Sequence, residues 1–167
     1  MTSARYKMWK TTIDSRTCIP CKSKHGSVYH IDDFVSDIPL HPNCRCVIER
    51  LQALFAGTAT ELSDDGADWW LLNYRQLPDY YVSKADAKSA GWVVWKGNLS
   101  KVCQGKMLYG GVYNNKNRHL PSAPGRVWYE ADINYTGGYR GSERIVFSND
   151  GLVFVTYDHY RTFIEII

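Results

Sequence analysis

The sequence predicts an α+β protein, with short helices packed on an antiparallel β-sheet behind a small cysteine-rich N-terminal segment. Three observations carry this expectation. Helix start and stop signals cluster between Ser63 and Gly91. After Gly91, aromatic and β-branched runs alternate with Gly, Asn and Pro punctuation, and two close cysteine pairs stand before residue 47. With 167 residues, 44% apolar and 14% aromatic, the chain can bury a core. No apolar run approaches membrane-spanning length, and MTSARYKMWKTTIDSR lacks the apolar stretch of a signal peptide, so no membrane-spanning helix is expected. Internal repeats and low-complexity tracts are absent.

Residues 1–57 form the cysteine-rich segment. Thr17-Cys-Ile-Pro-Cys21 and Leu40-His-Pro-Asn-Cys-Arg-Cys46 place four thiols in CxxC and CxC pairs. Cys18, Cys21, Cys44 and Cys46 suit a tetrahedral structural zinc, with His41 as a substitute ligand, and so small a segment would draw much of its stability from such a clip. Two disulfides are the rival reading, favoured in an oxidising compartment. Cys103 stands apart and is expected to be a small apolar filler.

The stretch LQALFAGTATELSDDGAD, residues 51–68, is expected to finish a helix and then run through a connector at 58–62. From residue 63 to 167 a second unit follows. Ser63 is the expected N-cap of a helix with Asp64 and Asp65 in its first turn, running through Trp69, Trp70, Leu71 and Leu72 to Arg75 before Leu77-Pro78. Ser83-Lys-Ala-Asp86 begins a second short helix like a capping box, and Gly91 stops it. Beyond it, VWYEADI alternates so that Glu130 and Asp132 share one face. RIVFS and LVFVTYD flank the hairpin turn Asn149-Asp150-Gly151, and YRTFIEII closes the chain as a last strand.

Charge divides unevenly. Residues 1–74 carry 8 Lys/Arg against 9 Asp/Glu, and residues 75–167 carry 12 against 8, so the second part is the basic one at +4. Within it, Glu130 lies on a strand, Arg140 follows a Gly-Gly turn, Arg144 opens the next strand and His159 sits between the last two strands. Neighbouring antiparallel strands can bring these four to one sheet face. Such a set fits RNA cleavage by transesterification: a carboxylate takes the ribose 2′-hydroxyl proton, an imidazolium protonates the leaving 5′-oxygen, and cations hold the charge on phosphorus. An ordinary surface ion-pair group has the same composition, and spacing alone does not separate the two.

A resemblance does. Leu77-Pro-Asp-Tyr-Tyr-Val-Ser-Lys84, Gly91-Trp-Val, Lys96-Gly-Asn-Leu, Leu120-Pro, Gly125-Arg-Val-Trp-Tyr-Glu-Ala-Asp-Ile-Asn-Tyr-Thr and Asp158-His-Tyr-Arg-Thr-Phe resemble the barnase-type secreted bacterial ribonucleases from about Asp65 to the C-terminus. The resemblance implies a microbial-ribonuclease fold and metal-independent cleavage with no cofactor in catalysis. It implies Glu130 as general base, His159 as general acid, Arg140 and Arg144 as phosphate-binding arginines, and Lys84 as the lysine beside the scissile phosphate. Tyr160 matches an aromatic near the substrate base, and Asp132 an acid that supports the arginines. The base-reading loop departs: Asn114-Asn115-Lys116-Asn117 keeps Asn115, but Lys116 replaces an arginine and Asn117 replaces the acid that would accept from guanine N1–H and N2–H. An amide offers one carbonyl oxygen in place of two charged ones, so a relaxed guanine preference is expected. Gly111 stands where the family has an aspartate, removing a negative charge near the phosphate.

The first segment, from Trp9-Lys-Thr-Thr-Ile-Asp-Ser-Arg-Thr-Cys-Ile-Pro-Cys through His41-Pro-Asn-Cys-Arg-Cys46, resembles the end of phage Mu F-like minor head proteins over about residues 9–50. The pairing implies the tail of a polymorphic toxin, delivered or secreted to act on RNA in a target-cell cytoplasm. A barstar-like acidic immunity protein would hold it in the producer, a partner that suits the basic half. The alternative is a phage structural, particle-associated protein whose C-terminal part only binds RNA or a protein.

Overall fold

The computed structural model of the chain describes residues 4–35 and 38–167. A three-stranded antiparallel sheet comes first, ordered β2-β1-β3 from β1 (Tyr6–Thr11), β2 (Val28–His30) and β3 (Cys46–Arg50). Helix α1 (Ile19–Lys24) joins β1 to β2, with Pro20 in the first turn, where no N–H partner is needed, and Lys22 and Lys24 in the last turn against the dipole. Trp9 is fully buried against Cys21 and Cys46.

The larger sheet has seven strands in the order β4-β10-β9-β8-β7-β6-β5. They are β4 (Ala53–Leu54), β5 (Tyr81–Ser83), β6 (Met107–Tyr113), β7 (Trp128–Asp132), β8 (Arg144–Ser148), β9 (Val153–Thr156) and β10 (Ile164–Ile166). From β6 to β10 the pairing is antiparallel, as the alternation predicts. The two edge strands pair parallel to their neighbours, β4 with β10 and β5 with β6. Three helices accompany the sheet: α2 (Ala67–Tyr74), α3 (Lys84–Ser89) and α4 (Leu99–Val102). Among the described residues no helix is long and apolar enough to cross a membrane.

Two local expectations need correction. No helix ends in the stretch from Leu51; Leu51 is buried and Ala53–Leu54 pair with β10 instead, because the backbone there completes the sheet edge. Nor does Ser63 cap the first helix: it lies in a 3-10 turn at Ser63–Asp65 with φ +50, and Gly66 is the N-cap. The reason is Asp68. Its fully buried carboxylate accepts from the N–H groups of Gly57 (2.8 Å) and Ala59 (2.9 Å) and from the Thr60 hydroxyl (3.1 Å), pinning the connector over the helix start. Gly66 permits this closeness, since a Cβ there would stand 2.0 Å from Thr60 Oγ1. The second helix begins as expected: Ser83 Oγ accepts from the Asp86 N–H at 3.0 Å and donates to its carboxylate at 2.7 Å.

The alternation of β7, β8 and β9 gives the sheet two faces. On one, Ala59, Ala67 and Leu71 cover Ala131, Ile145, Val153 and Val155. On the other, Tyr6, Met8 and Val28 of the first sheet cover Trp128, Val146 and Phe154. Burying Met8 and Val28 here contributes roughly 1.5–3 kcal/mol each. A second tie reinforces this one: Glu165, fully buried on β10, accepts from the Arg5 backbone N–H at 2.8 Å and Nε at 2.6 Å. The apolar half of this face is therefore closed by the N-terminal segment. Its other half carries Glu130, Asp132, Arg144 and Thr156.

Candidate active site

Glu130 lies opposite Val146 on β8 and Gly111 on β6, with its side chain 14% exposed. Gly110 makes room for it, because a Cβ there would stand 2.6 Å from Glu130 Cγ and Oε1. The register of β6 shifts between Tyr109 and Gly111, where Gly111 adopts φ +85, a left-handed conformation that glycine takes without strain. Lys84 stands at the start of α3, and its Nζ is 3.8 Å from Glu130 Oε1. The Tyr160 hydroxyl donates to Glu130 Oε2, and its ring stacks on Tyr113 at 5.1 Å. Burial, then the bond to Glu130, pushes the Tyr160 phenol well up, against the pull of Arg144 and Arg140. Burial and the same carboxylate push Tyr113 up to about 12. Both phenols are therefore neutral donors at ordinary pH.

Asp132 pairs directly with Arg144 across β7 and β8. Its carboxylate takes a two-pronged contact from Arg140, Nε at 2.7 Å and Nη2 at 2.6 Å, which raises the Arg140 pKa first through these bonds. Arg144 Nε stands 3.1 Å from the same carboxylate without hydrogen-bond alignment, while Nη1 donates to the carbonyls of Gly141 and Glu143. Asp132 thus aims two guanidinium groups from the rim of the Glu130 face. It is itself 1% exposed, so it supports the set without meeting solvent.

His159 occupies the β9–β10 connection, exposed, with φ +56, followed by Tyr160 at φ +68. The connection is fixed by Asp158, which accepts from the hydroxyls of Thr156 (3.0 Å) and Thr162 (2.6 Å) and from the N–H groups of Arg161 and Thr162. Thr156 Oγ1 in turn accepts from the Tyr160 N–H at 2.9 Å. The His159 ring lies 4.8 Å from that of Tyr160, which links it to Glu130. Asp158 and Gly110 were not singled out from sequence; the Asp-x-x-x-Thr spacing and the Gly-Gly pair were the available signals. The last strand is shorter than expected, because this loop runs on to Phe163.

The loop expected to read the base divides. Asn115 turns inward, its amide donating to the Leu120 carbonyl at 2.7 Å and its oxygen accepting from the Leu120 N–H at 3.1 Å, so it shapes the loop. Asn114, Lys116 and Asn117 line a cavity of about 950 Å³ together with His159 and Tyr160.

The five sulfur and imidazole donors of the N-terminal segment also converge. Cys18, Cys21 and His41 form one close triad and Cys21, Cys44 and Cys46 another. His41 Nε2 stands 3.2 Å from both Cys18 and Cys21 Sγ, and Cys21 Sγ is 3.9 Å from Cys44 Sγ. Nδ1 of His41 faces the Pro42 carbonyl at 2.7 Å; a proton there leaves Nε2 with its lone pair toward the thiols. The Cys44 thiol is lowered to about 7, first by the Cys46 backbone N–H, while burial among the other sulfurs pushes Cys21 up. Crowded soft donors of this kind fit a metal cation. All five cysteines are free, and Cys103 packs at the edge of the cluster formed by Ala87, Trp92, Leu99 and Leu108.

A carboxylate with a lysine 3.8 Å away, two arginines on the same sheet face and a histidine on the adjoining connection mark the class: an α+β protein whose groups suit proton transfer beside a phosphate. The ribonuclease family pattern matches residues 71–167, and the pattern described as Phage Mu protein F like protein matches residues 1–49. Three curated relatives, each named ribonuclease, are 49% identical over 102 residues, 61% of this chain. The match covers 94% of the Heyndrickxia coagulans protein, and 63% of those from Bacillus intermedius and Bacillus pumilus. The chain belongs to the ribonuclease family, with its barnase-like fold, and is an endoribonuclease.

Proposed function

We propose that the chain is a toxin ribonuclease that cleaves RNA by transesterification, leaving a 2′,3′-cyclic phosphate and a 5′-hydroxyl. Glu130 takes the 2′-hydroxyl proton and His159 supplies one to the leaving oxygen. Lys84, Arg140 and Arg144 hold the phosphate. General base and acid are each worth roughly 10²- to 10⁴-fold, and positioned cations a similar share. The single observation that carries the reading is the placement of Glu130 beside Lys84 on the sheet face that Asp132 also lines with two arginines. No metal is needed in these steps.

Asn117 in place of an acid supports a relaxed guanine preference, and stacking of a base on Tyr160 would be largely sequence-tolerant. In the N-terminal segment, Cys18, Cys21, Cys44 and Cys46 hold a structural zinc, with His41 as the alternative fourth ligand; one metal per chain by elemental analysis is the expected result. The toxin reading draws on the pairing of a Mu F-like segment with a ribonuclease, and the basic half suits an acidic barstar-like inhibitor. The test is incubation with RNA and with DNA of the same sequence in the presence of chelator, with the ends identified by mass. Cyclic phosphate ends on RNA and intact DNA support the mechanism; comparable loss of DNA contradicts it.

A further inference from the structure

We propose that the cysteine-rich segment forms one wall of the RNA site, where Lys22 on α1 binds the phosphate on the 5′ side of the nucleotide seated at loop 114–117. This rests on the nuclease reading above. The cavity of about 950 Å³ beside His159 has three walls: the base-reading loop, the 158–162 connection, and Ile13, Lys22 and His25 of the first segment. It is far larger than one base requires.

The third wall is seated firmly. Gly26, with φ +87, ends the turn after α1 and lies so close to the connection that a Cβ would stand 2.7 Å from the Arg161 carbonyl oxygen and 3.2 Å from His119 Nδ1. Its N–H donates to the Trp9 carbonyl at 2.9 Å. Cys18 stands at the N-terminal boundary of α1 and Cys21 lies within it, so the sulfur cluster ties down the helix that carries Lys22.

Charge selects the occupant. Lys22, Lys116 and Arg161 supply three cations to this cavity. Its one acid, Asp158, is already occupied by the Thr156 and Thr162 hydroxyls and two backbone N–H groups. A polyanion fits this balance, and the exposed Ile13 offers an apolar surface to a base. Direction follows from what is absent from the lining. Lys84, Arg140 and Arg144, which would hold the scissile phosphate, do not line it, while His159, which would serve the leaving oxygen, stands at its edge. With the scissile 3′ phosphate held by those three cations outside the cavity, the phosphate left for Lys22 inside it is the 5′ one of the nucleotide at the reading loop.

The test compares a dinucleoside phosphate with trinucleotides extended by one nucleotide on the 5′ or the 3′ side, cleaved by the unaltered protein and by Lys22→Ala. Lys22 is exposed, so an unchanged melting temperature is expected. For the 5′-extended substrate, kcat/KM should fall about two- to fivefold in the variant, the range of one exposed ion pair. The slope of log(kcat/KM) against log salt should lessen by about 0.7, the value for one single-strand phosphate contact. The other two substrates should be unaffected. Equal effects on all three substrates, an effect confined to the 3′ extension, or no effect would overturn the inference while leaving the nuclease reading intact. Absence of cleavage by the unaltered protein would overturn both.

Discussion

Asp132→Asn removes one charge from the place where the structure depends on it most. The carboxylate is 1% exposed and faces Arg140 at 2.6 and 2.7 Å and Arg144 Nε at 3.1 Å. Asparagine preserves the volume but leaves two guanidinium groups, that of Arg144 nearly buried, without a counter-charge. Breaking a buried pair by removing one partner costs about 3–5 kcal/mol, against about 0–1 kcal/mol for a surface pair. Part exposure of Arg140 places the expected loss toward the lower end, about 3 kcal/mol. At roughly 2–4 °C per kcal/mol for a chain of this size, the midpoint should drop by roughly 6–12 °C. Urea and thermal unfolding of the two proteins measure this directly, and RNA cleavage should fall as well because both arginines lose their aim. A stability loss under about 1 kcal/mol would show that Asp132 is not the anchor of the arginine pair.

Three further outcomes are expected. Glu165→Ala leaves Arg5 without its buried carboxylate partner; it should lower the midpoint of a single unfolding transition, and a separate early transition for residues 4–50 would contradict a shared core. Burial raises the Asp158 carboxyl, but hydrogen bonds from Thr162, Thr156 and Arg161 outweigh it and the net shift is downward from 3.8. A depressed folded value means its stabilisation is complete above 3.8 and lost as pH falls through the folded value, so Asp158→Asn should flatten the acid limb of the stability–pH curve; an unchanged limb refutes the staple. Asn117→Glu should sharpen guanine preference by roughly 1–3 kcal/mol, read from products of an RNA containing every dinucleotide step, whereas strict guanine cleavage by the unaltered protein would mean that backbone groups alone read the base.

What was legible in the sequence was what is encoded locally. Ser83 and Asp86 cap α3 as read because both partners lie within one turn. Period-two alternation placed Glu130 and Asp132 on one face, and Asn149-Asp150-Gly151 turned the hairpin. The misses involve distance. Asp64 and Asp65 read as the first-turn acids, yet it is Asp68 that lies in the first turn of the helix and binds backbone nine and eleven residues upstream, with the cap at Gly66 in place of Ser63. Ala53–Leu54 and Tyr81–Ser83 are too short to show a period and become strands only by joining an existing edge. Glu165 lies in an apolar strand and is buried by a partner 160 residues away. Lys84 and Tyr160 carried no spacing signal toward Glu130 and were reached through the family resemblance alone. The cavity wall at Lys22 depends on how two segments pack, which no local pattern records.

The acid–base pair is the centre of the account, and His159→Ala tests it most directly. His159 is exposed on a connection held by Asp158, so the variant should fold with an unchanged melting curve. Its kcat on RNA, measured across pH beside the unaltered protein, should fall by roughly 10²- to 10⁴-fold as the leaving-group acid is lost. A folded His159→Ala protein that keeps near-full activity would contradict the assignment.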